Sequence, residues 1–178
     1  MNVILALDPS LSSTGYALIN ADNKELISEG RITTTNKLST DARIQVVVQS
    51  IIDICYRFVN IETAISAVVL EDGFIGANKK GSQKLSELRG AIIFYFMYRH
   101  LKVFHSQPTE IRKNLGLSGS ASKEQVANKV LEIYPELDKQ IGPYSDKANK
   151  QKTSDIYDAI SIGLSYLNIL KEGDHGEG

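Results

Sequence analysis

Four carboxylates in this chain stand where chemistry could be done. Asp8 closes the apolar run Val3-Ile4-Leu5-Ala6-Leu7, and Glu71 closes Ala67-Val68-Val69-Leu70. A carboxylate at the end of a buried strand is costly to bury unpaired, so each asks for a partner such as a cation. Asp155 and Asp158 lie three residues apart at the expected start of the last helix, which puts both on one face. Alone, that pair also fits an acidic first turn complementing a helix dipole, and Asp8 alone fits a turn opened by Pro9. Four carboxylates from two strand ends and one helix, in this order, are better explained by a shared site. Hard oxygen ligands without a His or Cys cluster point to Mg²⁺ or Mn²⁺. Two such ions about 3.5–4 Å apart would activate water and stabilise the leaving oxygen of a phosphodiester. Asp72 is excluded from the set, because a strand sends adjacent side chains to opposite sides.

The elements that must position these residues follow from hydrophobic periodicity. Residues 3–7, 15–19 and 25–34 read as strands joined by turn chemistry at Ala21-Asp22-Asn23-Lys24, an antiparallel meander. Ile44, Val47, Val48, Ile51, Ile52, Cys55, Phe58 and Val59 recur at helical spacing, with Ser39 or Thr40 as the cap. A buried strand at 67–70, a helix over 82–100 and a short strand at 103–105 follow. Pro108 opens a short helix, Lys123–Tyr134 forms another, and Ser154–Leu170 is the last, with 145–152 read as a polar loop. This order predicts a mixed sheet with helices on both faces. A right-handed crossover makes the fourth strand parallel to the first. If the two are neighbours, Asp8 and Glu71 end side by side at the carboxyl edge of the sheet, where open α/β sheets hold their chemistry.

With 178 residues, 42 % hydrophobic and 23 % charged, the chain fits one soluble domain, expected over residues 1–172 with a flexible tail at 173–178. A single cysteine, Cys55, excludes an internal disulfide. No apolar run reaches the roughly 20 residues of a membrane span, and the N-terminus has no basic leader, so a cytoplasmic location is expected. The net charge of −1 hides an asymmetry. Residues 76–123 hold nine Lys/Arg against two acids, or +7, and the remainder is −8. Such a distribution fits an anionic partner for the middle of the chain, or a solvated face with chance clustering.

Five landmarks in order then carry a family resemblance: Leu7-Asp8-Pro9-Ser10 with Thr14-Gly15-Tyr16; Leu70-Glu71-Asp72-Gly73-Phe74; Leu88-Arg89-Gly90; Ser120 to Val126; and Ser154-Asp155-Ile156-Tyr157-Asp158-Ala159-Ile160. The chain resembles the RuvC-type Holliday junction resolvases over about residues 2–170, with a flavour of the phage-encoded branch. The resemblance implies a ribonuclease H-like fold: a five-stranded mixed sheet, the first three strands antiparallel and the fourth and fifth parallel to the first. It implies that Asp8, Glu71, Asp155 and Asp158 are the catalytic metal ligands, holding two Mg²⁺ per site with Mn²⁺ as a substitute. Phe74 matches an aromatic that wedges into the junction, though its residue type also suits a core. Lys123 matches a catalytic basic residue near the scissile phosphate, and Arg112 aligns with another, beside Lys113. A lysine at a helix start is unfavourable to the dipole, which favours a phosphate role. The basic residues Lys79, Lys80, Lys84, Arg89, Arg112, Lys113 and Lys123, with Phe74, are the expected DNA contacts. The first loop, Ser10-Leu11-Ser12-Ser13, departs from the glycine that bacterial members tend to carry after the proline.

The resemblance implies a homodimer that resolves four-way DNA junctions by paired nicks, leaving 5′-phosphate and 3′-hydroxyl ends. Alternatives are a broader branched-DNA or flap nuclease, and a junction-binding protein with little cleavage. A ribonuclease H acting on RNA–DNA hybrids shares the chemistry. A sugar-kinase-like phosphotransferase needs a second domain. The stretch from Ile92 to Tyr98 is apolar around most of its helix, which fits either a dimer interface or a helix sandwiched within the fold.

Overall fold

Val3 to Leu7 form a strand that is covered on both faces, every side chain at 1 % exposure or less, and this strand is the axis of the molecule. The computed structural model describes residues 2–59, 64–72, 79–141, 144 and 147–174. Strand β1 (Val3–Asp8) pairs antiparallel with β2 (Ser13–Asn20), which pairs antiparallel with β3 (Leu26–Thr33). Helix α1 (Thr40–Phe58) then crosses over to β4 (Ile65–Glu71), parallel to β1, and α2 (Lys79–Tyr98) leads to β5 (Val103–Ser106), parallel to β4. The sheet order is β3-β2-β1-β4-β5, a mixed five-stranded sheet as expected, and β4 is indeed the neighbour of β1. Helices α3 (Pro108–Asn114), α4 (Lys123–Ile133), α5 (Leu137–Ile141) and α6 (Lys147–Asp174) complete the chain.

The period-2 alternation of strand side chains divides the core in two. Val3, Leu5, Leu7, Leu18, Val68 and Leu70 face α1 and α2, meeting Val47, Ile51, Cys55, Leu88, Ile92 and Phe96. Ile4, Ala6, Ala17, Ile19, Ala67 and Val69 face the other way, against Ile111, Val126, Val130, Ile156, Ile160 and Leu164. Capping sets the helix starts. Ser39 accepts from the Ala42 amide at 3.2 Å, and Ser122 accepts from the Gln125 amide at 3.2 Å while Gln125 accepts from the Ser122 amide at 2.8 Å.

Two expected boundaries move. The stretch 145–152, read as a loop, is helical from Lys147, and α6 continues to Asp174, beyond the expected end at Leu170. Lys147-Ala148-Asn149-Lys150-Gln151-Lys152 contains no Gly, Pro or β-branched residue, so nothing in it stops a helix. Asp155 is therefore two turns inside α6, and the first-turn capping explanation for Asp155 and Asp158 falls. Phe74 lies outside the described residues.

Candidate metal-ion active site

Strand register brings the first two carboxylates together. Leu7 pairs with Leu70 across the parallel β1–β4 ladder, so the next residues on each strand, Asp8 and Glu71, share the sheet's carboxyl edge. On its other side Asp8 pairs with Gly15 of β2. That glycine brings in α6: a Cβ at Gly15 would stand 1.9 Å from the Asp155 carbonyl oxygen and 3.3 Å from the Ala159 Cβ. Only a residue without a side chain lets the helix backbone sit this close to the strand. Further along, a Cβ at Gly163 would meet Ile19 at 2.7 Å and Ala6 at 3.1 Å, so α6 lies flush on β1 and β2.

The result is a compact acidic cluster. One carboxylate oxygen from each of Asp8, Asp155 and Asp158 falls within 4.8 Å of the others. Glu71 is not in this tight triad but shares a cavity of about 100 Å³ with Asp8, Asp158, Arg112 and Lys123. The Lys123 ammonium donates to Asp158 Oδ2 while 60 % of its side chain stays exposed. Arg112 lines the same cavity and donates from Nη1 to the Gly119 carbonyl at 3.0 Å. Lys113 points elsewhere, its Cε near Gly119, and does not line the cavity.

Burial and crowding make Asp8, Glu71 and Asp158 hard to ionise. Asp8 is pushed up to about 8, first by burial, then by Asp158 and Glu71, against the pull of Lys123. Burial raises Glu71 as well, with Asp158 adding and Lys123, Arg112 and Arg89 opposing. Burial raises Asp158, with Lys123 opposing most strongly. Burial pulls the Lys123 ammonium down, but Asp158, Asp8 and Glu71 outweigh it and the net shift is upward. Clustered carboxylates that resist losing their protons are what a divalent cation relieves. The donor set is all carboxylate oxygen, so it fits a hard divalent metal ion.

Behind the site, Arg89 ties down the end of β4. Its Nη1 donates to the Glu71 carbonyl, and its Nη2 lies 3.6 Å from Asp72 Oδ1 and 3.2 Å from His105 Nδ1. Gln107 Nε2 donates to Asp72 Oδ2 at 2.7 Å. Asp72 thus faces away from the carboxylate triad, as its place beside Glu71 requires. Arg89, expected as a DNA contact, instead has a side chain only 12 % exposed and braces the strand. By contrast Lys79, Lys80 and Lys84 stand exposed on the first turns of α2. The brace was not read from the sequence, because Gln107 and His105 join it only through the β4–β5 pairing. For Gly15 a signal exists: a glycine inside a strand marks a close backbone approach.

Fold and site define a class: a ribonuclease H-like α/β domain with a cluster of carboxylates, fit for a divalent cation, at the carboxyl edge of its sheet. The profile for crossover junction endodeoxyribonuclease RuvC matches residues 4–165, and the chain belongs to that family. Among curated relatives, the RuvC crossover junction endodeoxyribonuclease of Helicobacter pylori is 31 % identical over 173 residues, covering 94 % of this chain and 98 % of the relative. That of Natranaerobius thermophilus is 26 % identical over 171 residues, covering 95 % and 96 %. In structure, Thermus thermophilus RuvC in complex with a Holliday junction substrate superposes with a TM-score of 0.75 at 18 % identity, over 97 % of each chain. The yeast mitochondrial Holliday junction resolvase Ydc2 gives 0.69 at 11 % identity, over 98 % of this chain and 81 % of that one. Among the described residues no helix is long and apolar enough to cross a membrane.

Proposed function

We propose that this protein is a metal-dependent endonuclease that resolves four-way DNA junctions by paired nicks, leaving 5′-phosphate and 3′-hydroxyl ends. The observation that carries the reading is the carboxylate triad with Glu71, Arg112 and Lys123 around one cavity, in a chain of the RuvC family. Asp8, Asp155 and Asp158 would hold one Mg²⁺ and Glu71, with Asp8, a second, Mn²⁺ serving as substitute. When bound, such ions supply an activated water and charge neutralisation at the leaving oxygen. Lys123 has two tasks: its ammonium holds Asp158 in place, and its exposed side chain can meet a phosphate oxygen. Arg112 adds positive charge at the cavity wall. Arg89 fixes the Glu71 backbone and so the reach of its carboxylate. Phe74 is proposed as the wedge at the junction, on the family resemblance alone.

The active species is proposed to be a homodimer, acting in the cytoplasm, with one site for each of two opposed strands. Helix α2 supports this. Ile92 and Phe96 are buried in the fold, while Phe94, Met97 and Tyr98 on its other side are 71 %, 60 % and 73 % exposed. Phe94 and Tyr98 stack at 6.0 Å, and Tyr56 and Phe58 of α1 are also exposed. A face of this kind suits a second copy.

The test is incubation with labelled four-way junction, flap and plain duplex, with and without Mg²⁺, beside Asp8→Asn. Symmetric metal-dependent nicks in the junction, absent from the variant, are expected. Equal cutting of flaps would widen the substrate class, and binding without cutting under Mg²⁺ or Mn²⁺ would overturn the nuclease reading.

A further inference from the structure

A second cavity, of about 300 Å³, opens beside the loop that leaves the active site, lined by Ser10, Leu11, Ser12, Arg43, Lys84 and Leu85 among others. Among the described residues that line it there are two cations and no carboxylate. The loop forming its rim is held rigid. The Ser10 amide donates to Thr14 Oγ1 at 3.1 Å, and Thr14 Oγ1 donates back to the Ser10 carbonyl at 2.6 Å. The Ser10 and Ser12 hydroxyls lie 3.3 Å apart. Arg43 is fastened to the same loop: its Nε donates to Thr34 Oγ1 at 2.7 Å, and Thr34 in turn donates to the carbonyls of Leu11 and Ser12. One edge of the guanidinium is used for this anchoring, and the remaining donors of the fork are oriented by it. Lys84 stands exposed on α2 across the cavity.

We propose that this cavity is a second phosphate seat, for the strand being cut, with Arg43 and Lys84 gripping a backbone phosphate next to the scissile one. This rests on the endonuclease reading. Two cations and two hydroxyls select an anion, and the Arg43 fork suits the geometry of phosphate oxygens. Leu11 and Leu85 give the cavity an apolar wall for the deoxyribose, which a free inorganic anion would not use. Position selects the strand. Ser10 is two residues beyond Asp8, at most about 7 Å along the chain. A DNA strand carries one phosphate per roughly 3.4 Å of axis, so the rim of the seat at Ser10 lies within about two nucleotides' length of Asp8. Such a contact fixes where the strand lies without reading its sequence.

The experiment measures affinity for a four-way junction in Ca²⁺, between 50 and 200 mM salt, for wild type, Arg43→Gln/Lys84→Gln, and Lys84→Gln alone. Lys102→Gln, at the opposite end of the sheet, removes a like charge as control. Each lost phosphate contact lowers the slope of log affinity against log salt by about 0.7–0.9. The double variant, with its one seated phosphate lost, is therefore expected to lose roughly threefold less affinity than wild type across that fourfold salt range. Lys84→Gln alone, an exposed change that spares the Thr34 anchor, is expected to show about half the change in slope. A neutral methylphosphonate placed one or two positions from the scissile phosphate should weaken wild type and leave the double variant unaffected. A double variant with the wild-type slope, or equal sensitivity to the methylphosphonate, would overturn the seat. Failure of the endonuclease reading itself shows separately, as a wild type that leaves junctions uncut in Mg²⁺ and Mn²⁺ whatever its affinity in Ca²⁺.

Discussion

Replacing Asp8 with asparagine should stabilise the metal-free protein while removing its response to metal. Asp8 has an ordinary value of 3.8 and sits at about 8 in the fold. A carboxyl whose folded value lies above its unfolded one favours folding fully at low pH, and that advantage is lost as pH rises from the unfolded value through the folded one. At pH 7 the unfolded chain has released the Asp8 proton, while the fold still retains it. Each unit of difference is worth about 1.4 kcal/mol, so roughly three units between 3.8 and 7 correspond to an upper bound of about 4 kcal/mol. Partial solvent access of Asp8 brings the expected effect to about 2 kcal/mol. Asparagine has nearly the shape of the protonated acid and carries no such cost. For a chain of this length, 2 kcal/mol corresponds to about 4–8 °C in Tm. Thermal unfolding in chelator at pH 5, 7 and 8 is the assay. Asp8→Asn should melt above wild type at pH 7, with a gap that narrows toward pH 5. Added Mg²⁺ or Mn²⁺ should raise wild type by mass action and leave the variant nearly unmoved. A variant no more stable than wild type at pH 7, or a gap independent of pH, refutes the reasoning.

Gly15→Ala should be severe, because its Cβ would fall 1.9 Å from the Asp155 carbonyl oxygen and α6 must move. About 3 kcal/mol of lost stability in urea unfolding is expected, with cleavage lost through displacement of Asp155 and Asp158. Lys123→Gln should slow cleavage about 100-fold. Lys123→Arg should recover part of that, as single-turnover rates will show. Arg89→Ala removes a charged donor from the Glu71 carbonyl and a partner from Asp72. About 2 kcal/mol of lost stability is expected by denaturant titration, together with slower cleavage at unchanged junction affinity.

Much of the site was legible because a strand end is a strong local signal. Five apolar residues followed by Asp8, and four followed by Glu71, announce buried strands with a charge at the lip. The register that sets them side by side follows from the crossover rule and the observed β1–β4 pairing. Asp155 and Asp158 were legible as a pair, but their depth inside α6 was not, since 147–152 is polar and helix-compatible at once. The bracing role of Arg89 escaped the sequence for a physical reason: sequence counts its charge but not its direction, and its partners come from β4 and β5, which pair only in the fold. Arg43 escaped notice because one arginine near the start of a helix has no spacing to betray it. Its anchor, Thr34, lies nine residues away on a different element.

Helix α2 joins two places that are otherwise separate. At Arg89 it grips the end of the strand carrying Glu71, and from Phe94 to Tyr98 it shows its bare aromatic face. Five residues of helix separate Arg89 from Phe94, about 7–8 Å of rise. Over so short a span an α-helix behaves as a stiff rod. A slide or twist imposed on the aromatic end therefore reaches the Glu71 backbone with little attenuation, so the position of the Glu71 carboxylate is tied mechanically to that surface.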